Sequence, residues 1–340
     1  IESYSHHLIM YLITGASGLV GSQLVFDLIS MGRSVRILLR KSSSTVLIKK
    51  KFKSSPELFD KIQIAYGDVL DIFSIEDALQ DCTHVFHCAA MVSFNPQKRK
   101  EMYKVNADGT ANVVNACLEK RNIKLGFVSS VATLGRGTQQ MINENDWFNQ
   151  NEKNSYYAIS KYAAEREVWR GITEGLNAVI INPSVILGDG NWRSDSSSLF
   201  NTIYRGLKFY TQGVSGFVDV KDVSRSLISL TESKISGERF IISSENKTYE
   251  WLFKTMAKSL NINPPTIKAG IFLSQLAWRL EWVKSVFTGK PSLITNETAY
   301  TSQQIYNYDN SKIIGKLDYH FIPVEETVER VCKLFIAQKQ

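Results

Sequence analysis

Thr14-Gly15-Ala16-Ser17-Gly18-Leu19-Val20-Gly21 is the stretch that decides the fold. Its glycines are spaced G-x-x-G-x-x-G. The short apolar run before it, Tyr11–Thr14, reads as a strand. After it, Leu19–Ser30 places apolar residues at helical intervals until Met31–Gly32 break the pattern. A strand, a glycine turn and a helix start in succession aim backbone N–H groups and the positive end of a helix dipole at an anion. One glycine permits the tight turn, one lets the backbone approach a pyrophosphate, and one lets helix and strand pack closely. Gly15, Ala16, Ser17, Gly18, Leu19, Val20 and Gly21 are therefore expected to cradle a dinucleotide.

The same rhythm continues outward. Val35–Leu39, Ile62–Tyr66, Thr83–Cys88, Leu125–Ser129 and Ala178–Ile181 read as further strands, with helices over Ile75–Leu79, Gly109–Lys120 and about Tyr157–Gly171. Short apolar strands alternating with helices imply an α/β, Rossmann-type, doubly wound parallel sheet covered on both faces. After Pro183 the alternation stops. Residues 10–183 plus about 217–243 are expected to form the nucleotide-binding domain, the second piece supplying the strands Phe217–Val220 and Arg239–Ser243. About 184–216 plus 244–340 would form a smaller, mostly helical substrate lobe, and residues 1–9 read as a leader or tail.

Composition bounds the remaining possibilities. The 340 residues are 44% hydrophobic and 21% charged, with a formal net charge of +7, an ordinary globular balance. The densest basic run, Lys49-Lys50-Lys51-Phe52-Lys53, reads as a solvated helix face. No basic-aromatic groove points to nucleic acid. Arg279, Glu281 and Lys284 interrupt the longest apolar tract, 269–287, which argues against a membrane span. Trp278 and Trp282 share one helix face there, suited to core packing or a lid. Cys82, Cys88, Cys117 and Cys332 form no CxxC pair and read as reduced thiols of a cytoplasmic protein. No metal site is expected.

A dinucleotide fingerprint expects an acid roughly 20 residues past the glycines, to bond the adenosine ribose. That position holds Arg40, followed by Lys41, which suits a 2′-phosphate and favours NADP(H) over NAD(H). Asp68 in Gly67-Asp68-Val69 suits either the adenine amino group or a turn. Ala89 and Ala90 end the fourth strand with side chains small enough for close cofactor approach.

Reduction of a carbonyl by a nicotinamide needs a proton donor and a group that polarises the oxygen. A tyrosine serves if a cation lowers its pKa, and a lysine four residues on shares its helix face. Tyr157-Ala158-Ile159-Ser160-Lys161 has this spacing, as do Tyr204/Lys208 and Tyr308/Lys312. Only Tyr157 lies between strands five and six, facing the strand ends where ligands of such sheets bind. Ser129 or Ser130, ending strand five, could hold the substrate oxygen.

These residues, with Asn106-x-x-Gly109-Thr110 and Phe217–Val223, resemble the extended short-chain dehydrogenase/reductase family, also called the NAD-dependent epimerase/dehydratase superfamily. The resemblance covers about residues 10–335. It implies a Ser130–Tyr157–Lys161 triad with Tyr157 as acid/base, Lys161 on the nicotinamide ribose, and Asn106 steadying the active-site helix or a water. Arg40 and Asn182-Pro183-Ser184-Val185 are similar to the dihydroflavonol-reductase-like and 3β-hydroxysteroid-dehydrogenase-like branch, which implies Pro183, Ser184 and Val185 beside an exchangeable cofactor. Ile186–Gly190 keeps a nucleotide-sugar epimerase or dehydratase with tightly bound NAD as the alternative. A dinucleotide-binding sensor or scaffold is a third class, disfavoured by the intact triad. A small-molecule substrate is implied, and a homodimer by resemblance. Trp192, Phe200, Tyr204, Phe209, Phe272 and Trp278 offer the lobe aromatic surface, for an apolar substrate or for ordinary packing.

Overall fold

A computed structural model describes residues 9–93, 95–135, 141–152, 154–193, 196–270 and 300–339. The expected Trp278/Trp282 helix face, Phe272 and residues 1–8 lie outside the described residues.

Seven parallel strands build the main sheet: β1 (Met10–Thr14), β2 (Ser34–Leu39), β3 (Gln63–Tyr66), β4 (Cys82–His87), β5 (Lys124–Val128), β6 (Asn177–Pro183) and, later in the chain, β10 (Glu238–Ile242). Their order is β10-β6-β5-β4-β1-β2-β3, the doubly wound arrangement in which the chain reverses direction across the sheet between β1 and β4. Register pairs Thr14 with His87, His87 with Phe127 and Val128 with Ile181, so the strand ends line up along one edge. Leu12, Ile13, Ile37, Val85, Leu125 and Ile180 are fully buried, as a sheet covered on both faces requires. Helices Leu19–Ser30 and Val220–Glu232 pack together on one face, and Gly109–Lys120 and Tyr156–Thr173 pack together on the other.

β7 (Val185–Leu187), β9 (Val214–Asp219) and β11 (Glu245–Thr248) form a separate three-stranded sheet in the order β11-β9-β7, and β8 (Phe209–Tyr210) pairs with β12 (Ile267–Lys268). Of the two strands assigned by sequence to the return into the first domain, only β10 joins the main sheet. The 217–220 strand is β9, whose Phe217 pairs with Val185 on one side and Glu245 on the other. The small sheet packs on its own apolar cluster, in which Leu187, Phe200, Phe217, Leu252, Val328 and Phe335 are buried. Trp192 and Tyr204 meet Phe335 edge-on, so these aromatics serve packing.

Within the basic run Lys49 and Lys53 are exposed, but Lys50 and Lys51 are not a solvated face. Lys51 Nζ lies 2.6 Å from Asp189 Oδ1 and Lys50 Nζ 3.4 Å from Oδ2. Lys51 also donates to Gln23 Oε1 at 2.8 Å. Burial pushes the Asp189 carboxyl up, but Lys51 and Lys50 outweigh it and hold it below its ordinary value. The helix Val46–Lys51 is thereby fastened to the Gly188–Gly190 loop.

All four cysteines are free, and Cys82, Cys117 and Cys332 are buried. No described helix is long and apolar enough to cross a membrane.

Candidate active site

The glycine turn carries its own proof of residue type. Gly15 has φ +72°, and a Cβ there would stand 2.5 Å from Ala89 N. A Cβ on Gly21 would stand 2.2 Å from Gly15 O. Both obstacles are backbone, which cannot yield as a side chain can. Gly18 N–H donates to Gly15 O at 3.0 Å. The helix beginning at Leu19 has no side-chain cap and no acid in its first turn. Its leading amides are thus left for an anion, and the cradle fits a dinucleotide pyrophosphate. Ala89 and Ala90 follow β4 directly beside this turn.

Behind the turn runs a directed chain of hydrogen bonds. Thr110 donates its one hydroxyl proton to Asn106 O at 2.5 Å, so at 3.0 Å from His87 Nε2 it can only accept. The ring is therefore protonated on Nε2, and Nδ1 accepts from Thr14 Oγ1 at 2.7 Å. Burial, seconded by the Lys161 cation, pushes His87 down to about 3, so the imidazole is neutral.

Asn106 sits in a one-turn π-helix, Lys104–Asp108, and is almost wholly buried. Its Oδ1 accepts from Met91 N at 2.7 Å, and its Nδ2 donates to Met91 O at 3.0 Å and to Ser160 Oγ at 2.9 Å. Ser160 in turn donates to Tyr157 O at 2.8 Å. The active-site helix is thus pinned at the turn that carries Tyr157.

That helix, Tyr156–Thr173, starts at an N-cap, where Ser155 accepts from Ala158 N at 3.0 Å. Tyr157 is half-buried and Lys161, one turn on, is 2% exposed. Lys161 Nζ donates to Val128 O at 2.7 Å, two residues before Ser130, and lies over the Phe127 ring at 4.6 Å. Burial pushes its ammonium down to about 8, against the opposing pull of Glu165 and Cys88.

The two candidate serines separate. Ser129 is buried and donates to Glu165 Oε2 at 2.5 Å. Ser130 is half-buried, and its hydroxyl accepts from Ala132 N at 3.1 Å as N-cap of the turn Val131–Thr133. Strand alternation puts the pair on opposite faces.

Arg40 and Asp68 stand at the ends of β2 and β3, away from Tyr157. Arg40 and Lys41 are exposed. Asp68 Oδ1 accepts from Leu70 N at 3.0 Å, holding a turn. Val69 packs under Gly109, where a Cβ would stand 2.8 Å from Val69 Cγ2. Pro183 ends β6, Ser184 N donates to Ile242 O at 3.0 Å, and Val185 opens β7.

Sequence reading missed Thr14, His87, Thr110, Ser160 and Asn182 as structural ties, and gave Glu165 and Arg239 no part in the site. Glu165 had a signal: it lies four residues past Lys161 and eight past Tyr157, on one helix face. Arg239, from β10, had none.

The family model for the NAD dependent epimerase/dehydratase family matches residues 11–242. The chain belongs to that family. It is an NAD(P)-dependent oxidoreductase of the extended short-chain type, as its reductase relatives attest. A bifunctional dihydroflavonol 4-reductase/flavanone 4-reductase from Malus domestica is 28% identical over 275 residues, 76% of this chain and 79% of the relative. Among solved structures, gox2253 superposes with a TM-score of 0.81 at 26% identity, covering 97% of this chain and 98% of that one. UDP-glucose 4-epimerase from Thermotoga maritima superposes with a TM-score of 0.78 at 18% identity, covering 98% and 100%. That last likeness shows the fold alone.

Proposed function

We propose that this protein is a carbonyl reductase or alcohol dehydrogenase that prefers NADP(H) and uses Ser130, Tyr157 and Lys161 on a small-molecule substrate. The observation that carries the reading is the placement of Tyr157 and Lys161 one turn apart on a helix pinned through Ser160 and Asn106, with Lys161 held beneath the Ser130 turn.

Gly15, Ala16, Ser17, Gly18, Leu19, Val20 and Gly21 would hold the pyrophosphate, with Val69, Ala89 and Ala90 lining the adenosine and ribose path and Pro183, Ser184 and Val185 the nicotinamide side. When bound, the nicotinamide supplies or accepts the hydride. Tyr157 gives its phenolic proton to the carbonyl oxygen during reduction and takes it back during oxidation. The Lys161 ammonium would favour the phenolate left behind, and its two further N–H groups would hold a ribose hydroxyl. Ser130 holds the reacting oxygen. Asn106 keeps the helix in register with the end of β4.

The preference for NADP(H) is supported by Arg40 and Lys41, exposed at the end of β2 with no acid at that strand end. Lys50 and Lys51 are taken by Asp189, which leaves Arg40 and Lys41 as the cations at that strand end that would clamp a 2′-phosphate. The segments about 184–216 and 244–340 form the substrate side of the crevice in this reading. A homodimer belongs to it by family resemblance, and sedimentation velocity checks it.

The test is a titration of ligand-free protein with NADPH and with NADH, followed by fluorescence. The reading expects exchangeable binding, NADPH at least about tenfold tighter, and loss of that preference in Arg40→Ala. Turnover on a panel of aliphatic and aromatic aldehydes and ketones should vanish in Tyr157→Phe while NADPH still binds. NAD released only by denaturation would replace the reading with an epimerase or dehydratase.

A further inference from the structure

The helix that carries Tyr157 and Lys161 repeats a polar residue a third time at the same spacing, at Glu165. Its side chain is 2% exposed, and a buried carboxylate persists only if donors and a counter-charge surround it. Oε2 accepts from Ser129 Oγ at 2.5 Å, Thr133 Oγ1 at 2.6 Å and Asn182 Nδ2 at 2.9 Å. Oε1 accepts from Arg239 Nη1 at 3.0 Å and Trp169 Nε1 at 3.3 Å. Ser129 and Thr133 bracket Ser130, and Asn182 Nδ2 also reaches Ser130 O at 3.1 Å. One carboxylate therefore grips both ends of the Ser130 turn.

Arg239 cannot turn elsewhere. Its Nε donates to Glu144 O at 2.8 Å and its Nη2 to Asp146 O at 3.2 Å, and its guanidinium lies over Trp147 at 4.5 Å. Three separate pieces of chain thus meet at Glu165, the end of β5 with the turn after it, the end of β6, and β10, and Arg239 ties the 144–147 segment to them. Ser129, Thr133, Asn182 and Arg239 are all buried, so removing the carboxylate would leave their donors unpaired.

We propose that Glu165 is a positioning residue whose carboxylate fastens the Ser130 turn to the helix bearing Tyr157 and Lys161 and supplies the anion against which the Lys161 ammonium is held. The proposal rests on the reading of Tyr157 and Lys161 given above. Lys161 Nζ is held at Val128 O, next to the Ser129 that binds Glu165. The groups acting on it are Glu165, one helical turn on and paired to Arg239 at 3.0 Å, and His87 and Cys88 at the end of β4. His87 is neutral and burial pushes the Cys88 thiol up to about 12, so Glu165 is the anion present near neutral pH. A lysine held at about 8 already sits close to losing its proton; withdrawing the anion moves that loss to lower pH.

The experiment follows Lys161 itself by 13Cε NMR of lysine-labelled full-length protein, its signal assigned with Lys161→Arg. Glu165→Gln is expected to lower the titration midpoint by about tenfold in proton affinity. Glu165→Asp, which keeps the charge, is expected to restore most of it. If Glu165→Gln does not fold, the paired variant Glu165→Gln/Arg239→Met removes both buried charges together and is expected to show a displacement in the same direction, smaller because the Arg239 cation leaves with the anion. An unchanged midpoint in the folded glutamine or paired variant overturns the proposal, as does an equal displacement in Glu165→Asp. The measurement reads proton affinity and not turnover, so a failure of the carbonyl-reductase reading, seen in the aldehyde and ketone panel, is recognised separately.

Discussion

Asn106 donates through Nδ2 to Ser160 Oγ at 2.9 Å, and that hydroxyl donates onward to the carbonyl of Tyr157 at 2.8 Å. The end of β4 and the first turn of the active-site helix are thereby one hydrogen-bonded unit, because the same amide also grips both backbone groups of Met91. Asn106→Ala leaves one donor, Met91 N–H, and two acceptors, Met91 O and Ser160 Oγ, without their partner, at up to about 1–3 kcal/mol for each group to the extent that it is buried. We expect a fall in melting temperature of several degrees and a drop in turnover of about tenfold or more, with NADPH affinity changed far less. Ser160→Ala should share the kinetic effect with a smaller loss of stability. Equal loss of cofactor binding and turnover would contradict a role confined to the helix.

His87 is held as the neutral, Nε2-protonated tautomer between Thr14 and Thr110. Its pKa is pushed below its ordinary value to about 3, first by burial and then by Lys161. The unfolded chain takes up a proton near pH 6.5 and the folded chain does not, so the fold loses stability as pH falls from 6.5 toward 3. Asp222, raised to about 6 mainly by burial, works in the opposite direction. The difference in melting temperature between wild type and His87→Gln therefore isolates the histidine, and it should shrink as pH falls over this window. A 15N spectrum at pH 5 showing an imidazolium would refute the assignment.

Gly15 and Gly21 should refuse a side chain where Gly32 tolerates one. All that meets a Cβ at Gly15 or Gly21 at first contact is backbone, at 2.5 and 2.2 Å. Gly32 also has positive φ, +74°, but nothing lies within 4 Å of its Cβ. Gly32→Ala is expected to cost about 1–2 kcal/mol from backbone strain alone. Gly15→Ala and Gly21→Ala are expected to abolish NADPH binding or folding outright. Thermal melts and fluorescence titrations of the three variants decide the matter.

The Lys51–Asp189 pair gives a stability prediction far from the reacting atoms. Lys51 keeps 11% of its side chain exposed and Asp189 6%, so Lys51→Met leaves a largely buried carboxylate with Lys50, at 3.4 Å, as its remaining counter-charge. Loss of about 3 kcal/mol is expected, and Lys51→Met/Asp189→Asn should recover much of it. Because the folded Asp189 carboxyl lies below its ordinary value, this contribution is present above about pH 4 and disappears as pH falls. Denaturant midpoints at pH 7 and pH 3 would measure it, and a constant difference between wild type and Lys51→Met would be the contrary result.

Local order was legible in the chain because it is encoded locally. The glycine spacing from Gly15 to Gly21, the alternation of apolar runs with helical stretches, and the Tyr157/Lys161 interval each lie within one turn or one strand, and each is realised by the fold. The doubly wound parallel sheet followed from the same reasoning, since a parallel pair needs a crossover, while the strand order is read from the structure. What remained hidden depends on residues far apart in sequence. Phe217–Val220 is as apolar as any main-sheet strand, and only its pairing with Val185 and Glu245 removes it to the small sheet. Lys50 and Lys51 look like a solvated face until Asp189, more than 130 residues away, is brought beneath them. Which of Ser129 and Ser130 turns toward Glu165 is set by strand pleat and by Arg239 arriving from β10. Spacing along the chain can state which side chains share a face of one element. Burial, counter-charge and hydrogen-bond direction belong to the packing of several elements at once, and for this protein the tertiary structure alone supplies them.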